Sequence, residues 1–302
     1  VTRPTDFLAG LLQPETLTRV VDIGANLVDG EPPYHSMLKN GLCQLTGFEP
    51  QAEPLAELNR LKGPLETYLP YCVGDGEQHT LYQCAASGLT SLFRPDPQYL
   101  DLFNDFGEMG EVLATSSVVT RRLDEIAEID SIDLLKIDIQ GGELAVFENG
   151  REKLRNTVAI QTEVSFMPLY QGQPMFADID RELRSQGFIP HAFEAIKKWP
   201  IAPYAHPDNF RQEINQLLEA DVIYVKDFVN MDQLSDEQLK HMAMIAHHCY
   251  GSHDLVTRCL SALDERGKID SSAIARYRRH IFPDHTFFGD IKPTNLPFKL
   301  DL

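Results

Sequence analysis

"VVDIGANLVDG" (20–30) is the stretch that decides the fold. Its β-branched residues run into an acid, a glycine and an asparagine, as a buried strand does when it stops at a tight turn. Gly24 lets the backbone turn sharply and come close to a ligand. Asp22 supplies a carboxylate to the crevice beyond, and the turn residues Ala25 and Asn26 add backbone and amide groups. Open parallel sheets bind their ligands beyond the carboxyl ends of the strands, where the topology switches. This turn stands where such a site belongs.

The glycines are wrong for a dinucleotide. That ligand prefers G-x-G-x-x-G, with a helix N-terminus facing the pyrophosphate. Here Gly24 is followed by Asn26 and Val28, and an acid at the turn repels pyrophosphate. A cationic ligand suits it better: S-adenosylmethionine carries an ammonium and a sulfonium and no phosphate. The next strand, "CQLTGFE" (43–49), ends on Glu49. A carboxylate there can accept both ribose hydroxyls, in NAD and S-adenosylmethionine sites alike. Glu49 therefore points to a nucleoside without choosing between the two. "ETYLPYCVG" (66–74) reads as the third strand, and Asp75 in the following "VGDG" either reaches an adenine edge or serves a turn.

"DLLKIDIQGGE" (133–143) is the second informative stretch. Positions two apart on a strand share a face, so Lys136 and Asp138 point the same way inside an otherwise apolar strand. In "VAIQTEVSF" (158–166), Gln161, Glu163 and Ser165 share a face too. Set side by side, these strands bring a lysine and two carboxylates together at the ligand end of the sheet. Burying such charges is costly unless they pair. The plainer reading of Lys136 is an ion pair that only stabilises the cleft, and that of Glu143 is an acid favoured in a first helical turn.

Helix-like stretches at 54–61, 142–150 and 176–187 lie between the strands; the last carries Ile179 and Leu183 at helical spacing and stops on Gly187. Val- and Ile-rich strands alternating with helices imply a parallel sheet covered on both faces. After about residue 230 the pattern turns helical, beginning at a capping-box-like Ser235–Gln238. The final Pro-, Phe- and Gly-rich residues read as a surface tail. The expected organisation is a domain over 1–229 and a helical extension with tail over 230–302.

At 302 residues, 43% hydrophobic and 24% charged, the chain reads as ordinary globular protein. No apolar run is long enough to span a bilayer, and "FLAGLL" (7–12) lacks the basic region and length of a signal peptide. A net charge of −18 repels phosphate backbones, so a nucleic-acid partner is disfavoured, and no membrane partner is expected. Five widely spaced cysteines form no CxxC pair and no disulfide framework, which makes a reducing cytoplasm the simplest setting. His241, His247, His248, Cys249 and His253 invite a metal. His247 and His248 diverge around a helix, however, and no two histidines stand four apart, so no metal is expected.

"VVDIGAN", "GFEP", "RRLDEI", "LLKIDIQGGELAVFENG" and "TEVSFMPLYQGQPMF", in that order across roughly residues 19–190, resemble the FkbM-type S-adenosylmethionine-dependent methyltransferases. The resemblance implies an α/β fold of the Rossmann-like class I methyltransferase kind. That fold has a mostly parallel seven-stranded sheet, helices on both faces and a reversed final hairpin. "GFIPHAFEAIKKWPI" (187–201) and "ADVIYVKDF" (220–228) suit that hairpin. It also implies cofactor contacts from Asp22, Gly24, Asn26 and Glu49, with Asp138 near the point of methyl transfer. The family is associated with O-methylation of small molecules, including polyketide and sugar hydroxyls. One departure stands out: the family usually continues its first motif with isoleucine and glycine, where this chain has Leu27 and Val28. The first loop is therefore expected to be reshaped, with its helix starting after Pro33.

A hydroxyl acceptor must lose its proton. Asp138 is the first candidate for the base, with Glu163 and Glu143 behind it and Lys136 holding the carboxylate. The segment 85–122, inserted between core strands, is expected to shape the acceptor pocket. The loop 197–210 reads equally as a cover or as a crossover, and His191, His206 and His285 are further possible bases. Two other classes stand beside the methyltransferase: a nicotinamide-dependent oxidoreductase, and a non-catalytic nucleoside-binding or interaction module working through 230–302. Neither the acceptor nor the oligomeric state can be read from the sequence.

Overall fold

The computed structural model describes residues 6–25, 30–209 and 211–283. Asn26, Leu27, Val28, His285 and the expected tail lie outside the described residues. Seven strands form one sheet: β1 (Thr18–Ile23), β2 (Cys43–Phe48), β3 (Glu66–Leu69), β4 (Leu134–Ile137), β5 (Ala159–Ser165), β6 (Phe188–Lys198) and β7 (Leu217–Lys226). Their order is β6-β7-β5-β4-β1-β2-β3. Only β7 runs against its neighbours, antiparallel to both β5 and β6. The chain works outward from β1 to β3, then returns to the centre with β4, which puts the switch point between β1 and β4.

The third strand is shorter than its sequence suggests. Pro70 offers no N–H to the ladder, so the chain leaves the sheet after Leu69. Val73–Gly74 pairs instead with Arg121–Arg122.

The larger helices are α1 (Phe7–Leu12), α2 (His35–Lys39), α3 (Ala52–Leu61), α4 (Glu143–Glu148), α5 (Phe176–Ser185), α6 (Asp236–His248), α7 (His253–Glu265) and α8 (Ala273–Ile281). One sheet face presents Val21, Ile23, Leu135, Ile137, Ile160, Val164, Val222 and Tyr224 to Val146 and Phe147 of α4 and to Ile179 and Leu183 of α5. The other presents Val20, Leu45, Leu134, Ala159, Ile223 and Val225 to α1, α6 and α7, through Leu8, Leu12, Leu239, Met242, Ile245, Val256 and Leu260. Burying a side chain of that size contributes roughly 1.5–3 kcal/mol, so the C-terminal helices share a core with the sheet. Helix α6 begins as its sequence suggests: the Ser235 hydroxyl accepts from the Gln238 N–H, and the Gln238 side chain accepts from the Ser235 N–H. Gly187, at φ 80°, turns the chain out of α5 into β6.

The insertion before β4 builds a third core. An antiparallel pair, Gln78–Cys84 with Val112–Val119, flanks short helical turns. Leu89, Leu100, Phe103 and Phe106 pack there against Leu169, Tyr170 and Leu218. This lobe stands over the carboxyl end of β5 and the amino end of β7. Among the described residues no helix is long and apolar enough to cross a membrane.

Candidate active site

Gly24 is the pivot of the first turn. Its φ is +85°, and a Cβ there would sit 2.1 Å from the Asp138 carbonyl oxygen. No side chain fits, because the end of β4 lies directly against the turn. Gly24 and Ala25 both donate their N–H to the Phe48 carbonyl at 3.1 Å, and Asp138 donates to Ile23 at 3.1 Å. The carboxyl ends of β1, β2 and β4 are thereby laced together around one point.

From that level upward the second sheet face turns polar. Register pairs Asp22 with Lys136, Lys136 with Gln161, Glu163 with Asp221, and Ser165 with Glu219. Asp22 is buried; the Tyr34 hydroxyl donates to its Oδ2 at 2.5 Å and the Lys136 ammonium lies 3.5 Å from its Oδ1. Burial pushes the Asp22 carboxyl up, while Lys136 and Tyr34 work to hold it down. Lys136, expected to steady Asp138, thus forms its ion pair with Asp22. Two buried oxygens, Asp22 Oδ1 and Gln161 Oε1, have no hydrogen-bond partner. Both residues line a chamber of about 640 Å³, together with Tyr34, Lys136, Asp138 and Asp221.

Oxygens of Asp138, Glu143 and Glu163 gather within 4.8 Å of one another, and each carboxylate has its own donors. Glu143 accepts from the backbone N–H of Ile139 (2.9 Å) and of Gly141 (3.3 Å), and burial pushes it up to about 7. Its carboxylate serves the turn at the head of α4. Glu163 accepts from Gln140 Nε2 at 2.8 Å and from Lys197 at 3.4 Å. Burial, then Asp138 and Glu219, push Glu163 well up against the pull of Lys197. Lys197 also donates to Glu219 at 2.6 Å; burial alone would lower it, but Glu219 and Glu163 raise it.

Gln140 ties these groups together. The same Nε2 donates to Asp138 Oδ1 at 3.0 Å, and its Oε1 accepts from the Tyr170 hydroxyl at 3.0 Å. Its backbone stands at φ 57°, with the carbonyl accepting from the Ser91 hydroxyl at 2.6 Å. A non-glycine residue holds such a conformation only where its surroundings over-determine it. Sequence reasoning missed Gln140, Lys197 and Tyr34 as site residues. Gln140 stood next but one to Asp138 in the quoted "KIDIQGGE", so its place was the available signal. For Lys197 there was none, because register irregularities in β6 break the alternation that would aim it.

A second chamber, about 290 Å³, crosses the carboxyl ends of the strands. Gly24, Glu49, Gln51, Tyr71 and Cys72 line it on the β2–β3 side, and Leu89, Phe106, Met109, Gln140, Lys197 and Glu219 on the β5–β7 side. Asp138 lines both chambers. Glu49 is buried and accepts from the Gln51 N–H at 2.7 Å; burial raises it, and that bond opposes the rise. Asp75 takes the turn reading rather than the adenine one. Its Oδ1 accepts from the Thr120 hydroxyl (3.0 Å) and the Glu77 N–H (2.9 Å) and lies 2.8 Å from His79 Nε2. Its Oδ1 holds the base of the inserted hairpin.

The histidines lie elsewhere. His241 is buried 3.0 Å from the Thr18 hydroxyl, at the amino end of β1, and His247 and His253 both meet the Tyr277 hydroxyl. His191 meets Ser252 at 2.7 Å, and His206 accepts from the Asp208 N–H.

The model of the family described as "Methyltransferase FkbM domain" matches residues 22–190. A curated relative, 2-O-methyltransferase NoeI of Sinorhizobium fredii (strain NBRC 101917 / NGR234), is 29% identical over 194 residues, 60% of this chain and 74% of the relative. Among solved structures, magnesium protoporphyrin IX methyltransferase ChlM from Synechocystis PCC 6803, with bound SAM, aligns with 70% of this chain and 71% of its own. That alignment has 10% identity and a TM-score of 0.37. Precorrin-6y C5,15-methyltransferase from Geobacter metallireducens GS-15 aligns with 72% of this chain and 85% of its own, also at 10% identity and a TM-score of 0.37. The strand order itself, not these likenesses, carries the fold.

Proposed function

The chain belongs to the FkbM methyltransferase family and is an S-adenosylmethionine-dependent methyltransferase; from that premise we propose that its acceptor is a hydroxyl of a small molecule such as a sugar or a polyketide. The relative named as a 2-O-methyltransferase supports oxygen as the acceptor atom. A nicotinamide oxidoreductase and a non-catalytic module are not favoured. The observation that carries the site assignment is the buried Gln161 Oε1, without a hydrogen-bond partner, in a chamber that meets the Glu49 chamber at Asp138.

The residues present fit the cofactor. Glu49, buried beside its chamber, would accept from ribose hydroxyls. Gln161 Oε1, lacking a donor, and Asp22 Oδ1, which has the Lys136 ammonium at 3.5 Å, would receive the donors of an ammonium. When bound, the cofactor supplies an electrophilic methyl group on a sulfonium. The chain's own work is alignment and proton removal. Asp138, where the two chambers meet, takes the hydroxyl proton on its carboxylate, and Gln140 fixes that carboxylate's direction. Glu163, which accepts from the same Gln140 Nε2, stands beside Asp138. Leu89, Phe106 and Met109 line the chamber together with Gln140, Lys197 and Glu219, a surface for a molecule that carries both apolar groups and hydroxyls.

We expect neither a nucleic-acid nor a membrane partner for a chain of net charge −18. A reducing cytoplasm is the setting we propose, since all five cysteines stand as free thiols. Calorimetric titration with S-adenosylhomocysteine and, separately, NAD tests the cofactor, followed by labelled S-adenosylmethionine with a panel of sugars and polyketide alcohols. S-adenosylhomocysteine alone should bind, and Asp138→Asn should cut turnover about 100-fold or more while leaving that binding intact. Full turnover by Asp138→Asn removes Asp138 as the base; binding of NAD alone overturns the reading of the site.

A further inference from the structure

We propose that Tyr71 is the wall against which the adenine of the cofactor packs, and that Arg121 is a positioning residue acting through it. This rests on the cofactor reading above. Tyr71 lines the chamber beside Glu49, Gln51 and Cys72, on the side where a carboxylate awaits ribose. Its ring is fixed by three neighbours. The Arg121 guanidinium lies 3.6 Å from the ring centroid, close enough for a cation–π contact. The hydroxyl donates to Glu128 Oε1 at 2.7 Å, and that bond helps hold the Glu128 carboxyl below its usual range. Phe48, the last residue of β2, meets the ring at 6.2 Å between centroids, tilted by 30°.

Arg121 is itself anchored. Its N–H donates to the Cys72 carbonyl at 2.8 Å, and Arg121–Arg122 pairs with Val73–Gly74 in a two-strand bridge. The break in β3 at Pro70 thus has a use: it carries Tyr71 off the sheet and onto a side chain supplied from the far end of the insertion. With its polar tip and one face already committed, what Tyr71 presents to the chamber is aromatic surface held in one place. A flat heterocycle gains from such a surface, and most when the ring need not be ordered on binding. The quoted "RRLDEI", otherwise without a role, then supports the cofactor site. The Asp75 carboxylate, spent on Thr120 and His79, takes no part.

Calorimetry on the full chain tests this with two ligands, S-adenosylhomocysteine and 5′-methylthioadenosine, which lacks the amino-acid half. Tyr71→Ala and Tyr71→Leu should weaken both ligands by the same factor, about ten-fold or more. Tyr71→Phe should bind nearly as wild type. Arg121→Ala should weaken both by a smaller factor, and Arg121→Lys, which keeps a cation over the ring, should recover most of it. A merely structural contact would lower the thermal midpoint and leave these affinities alone. Tyr71→Leu or Arg121→Ala binding both ligands as wild type overturns the proposal while the cofactor reading stands. A wild-type chain that binds neither ligand overturns both.

Discussion

The two faces of the central sheet are built from the same strands and differ by one residue in phase. Val21, Ile23, Leu135, Ile137, Ile160 and Val222 pack on one face under α4 and α5. The other face changes character toward the carboxyl ends of β1, β4 and β5: Val20 gives way to Asp22, Leu134 to Lys136 and Ala159 to Gln161. On β7 the change comes one step further along, where Ile223, opposite Gln161, gives way to Asp221, opposite Glu163. Below that level α6 and α7 cover it; above it stand two chambers and the unpartnered oxygens. A helix-covered sheet face has no use for charge, because burying an unpaired carboxylate costs more than packing returns. Polar side chains at one register level on three neighbouring strands, Asp22, Lys136 and Gln161, therefore mark where cover ends and ligand begins.

The largest expected effect lies at the junction of the two faces. Gly24→Ala forces a Cβ to 2.1 Å from the Asp138 carbonyl at a φ of +85°. It should cost about 3 kcal/mol or more and abolish S-adenosylhomocysteine binding, read by urea unfolding and calorimetry. Retained binding at wild-type stability would show that β1 and β4 do not meet as described.

Neighbours in sequence sharpen the comparison. Leu135 faces the apolar core and Lys136 the charged half. Lys136→Met leaves Asp22 buried without the cation at 3.5 Å; about 3–5 kcal/mol of stability and most cofactor affinity should go, part of the stability returning in Asp22→Asn/Lys136→Met. Leu135→Ala should cost about 2–5 kcal/mol yet leave the affinity of the remaining folded protein unchanged. Equal losses of affinity in both variants would erase the distinction between the faces.

A pH series separates burial from function. Glu143 is raised from 4.5 to about 7, so between those values the unfolded chain releases its proton while the folded chain keeps it. Stability therefore falls as pH rises through that window and levels off above it. The drop amounts to up to about 3 kcal/mol. Asp22, Glu49 and Glu163 are raised too and act with the same sign. Glu143→Gln should shrink the slope and be more stable than wild type at pH 8 by thermal melting. An unchanged slope would mean that Glu143 is not buried as a neutral acid.

The smallest effect is expected at Asp75. Asp75→Ala breaks a turn on the surface of the inserted hairpin and should cost about 1 kcal/mol, with S-adenosylhomocysteine affinity unchanged. A ten-fold loss of affinity would return it to the cofactor site.

The strand core was legible because parallel strands buried on both faces are written as aliphatic runs, and the charged interruptions at Asp22, Lys136 and Glu163 stood out against them. Face-sharing at two-residue spacing brought Lys136, Asp138 and Glu163 together before any coordinates. Pairing was less legible. Lys136 chose Asp22 over Asp138 because β1 and β4 adjoin in register, which spacing within one strand does not reveal. Asp75 stayed open between a turn and an adenine edge because its partners, Thr120 and His79, come from the two ends of an insertion. Gln140 acts through a left-handed backbone that no composition rule marks.

The most direct test is a crystal structure of the chain with S-adenosylhomocysteine. The expected result is the ribose on Glu49, the adenine against Tyr71, the ammonium at Asp22 Oδ1 and the sulfur beside Asp138, with the charged half of the face turned toward the ligand. A ligand held elsewhere, away from Asp22, Glu49 and Asp138, would contradict the claim that this half of the sheet is the transfer site.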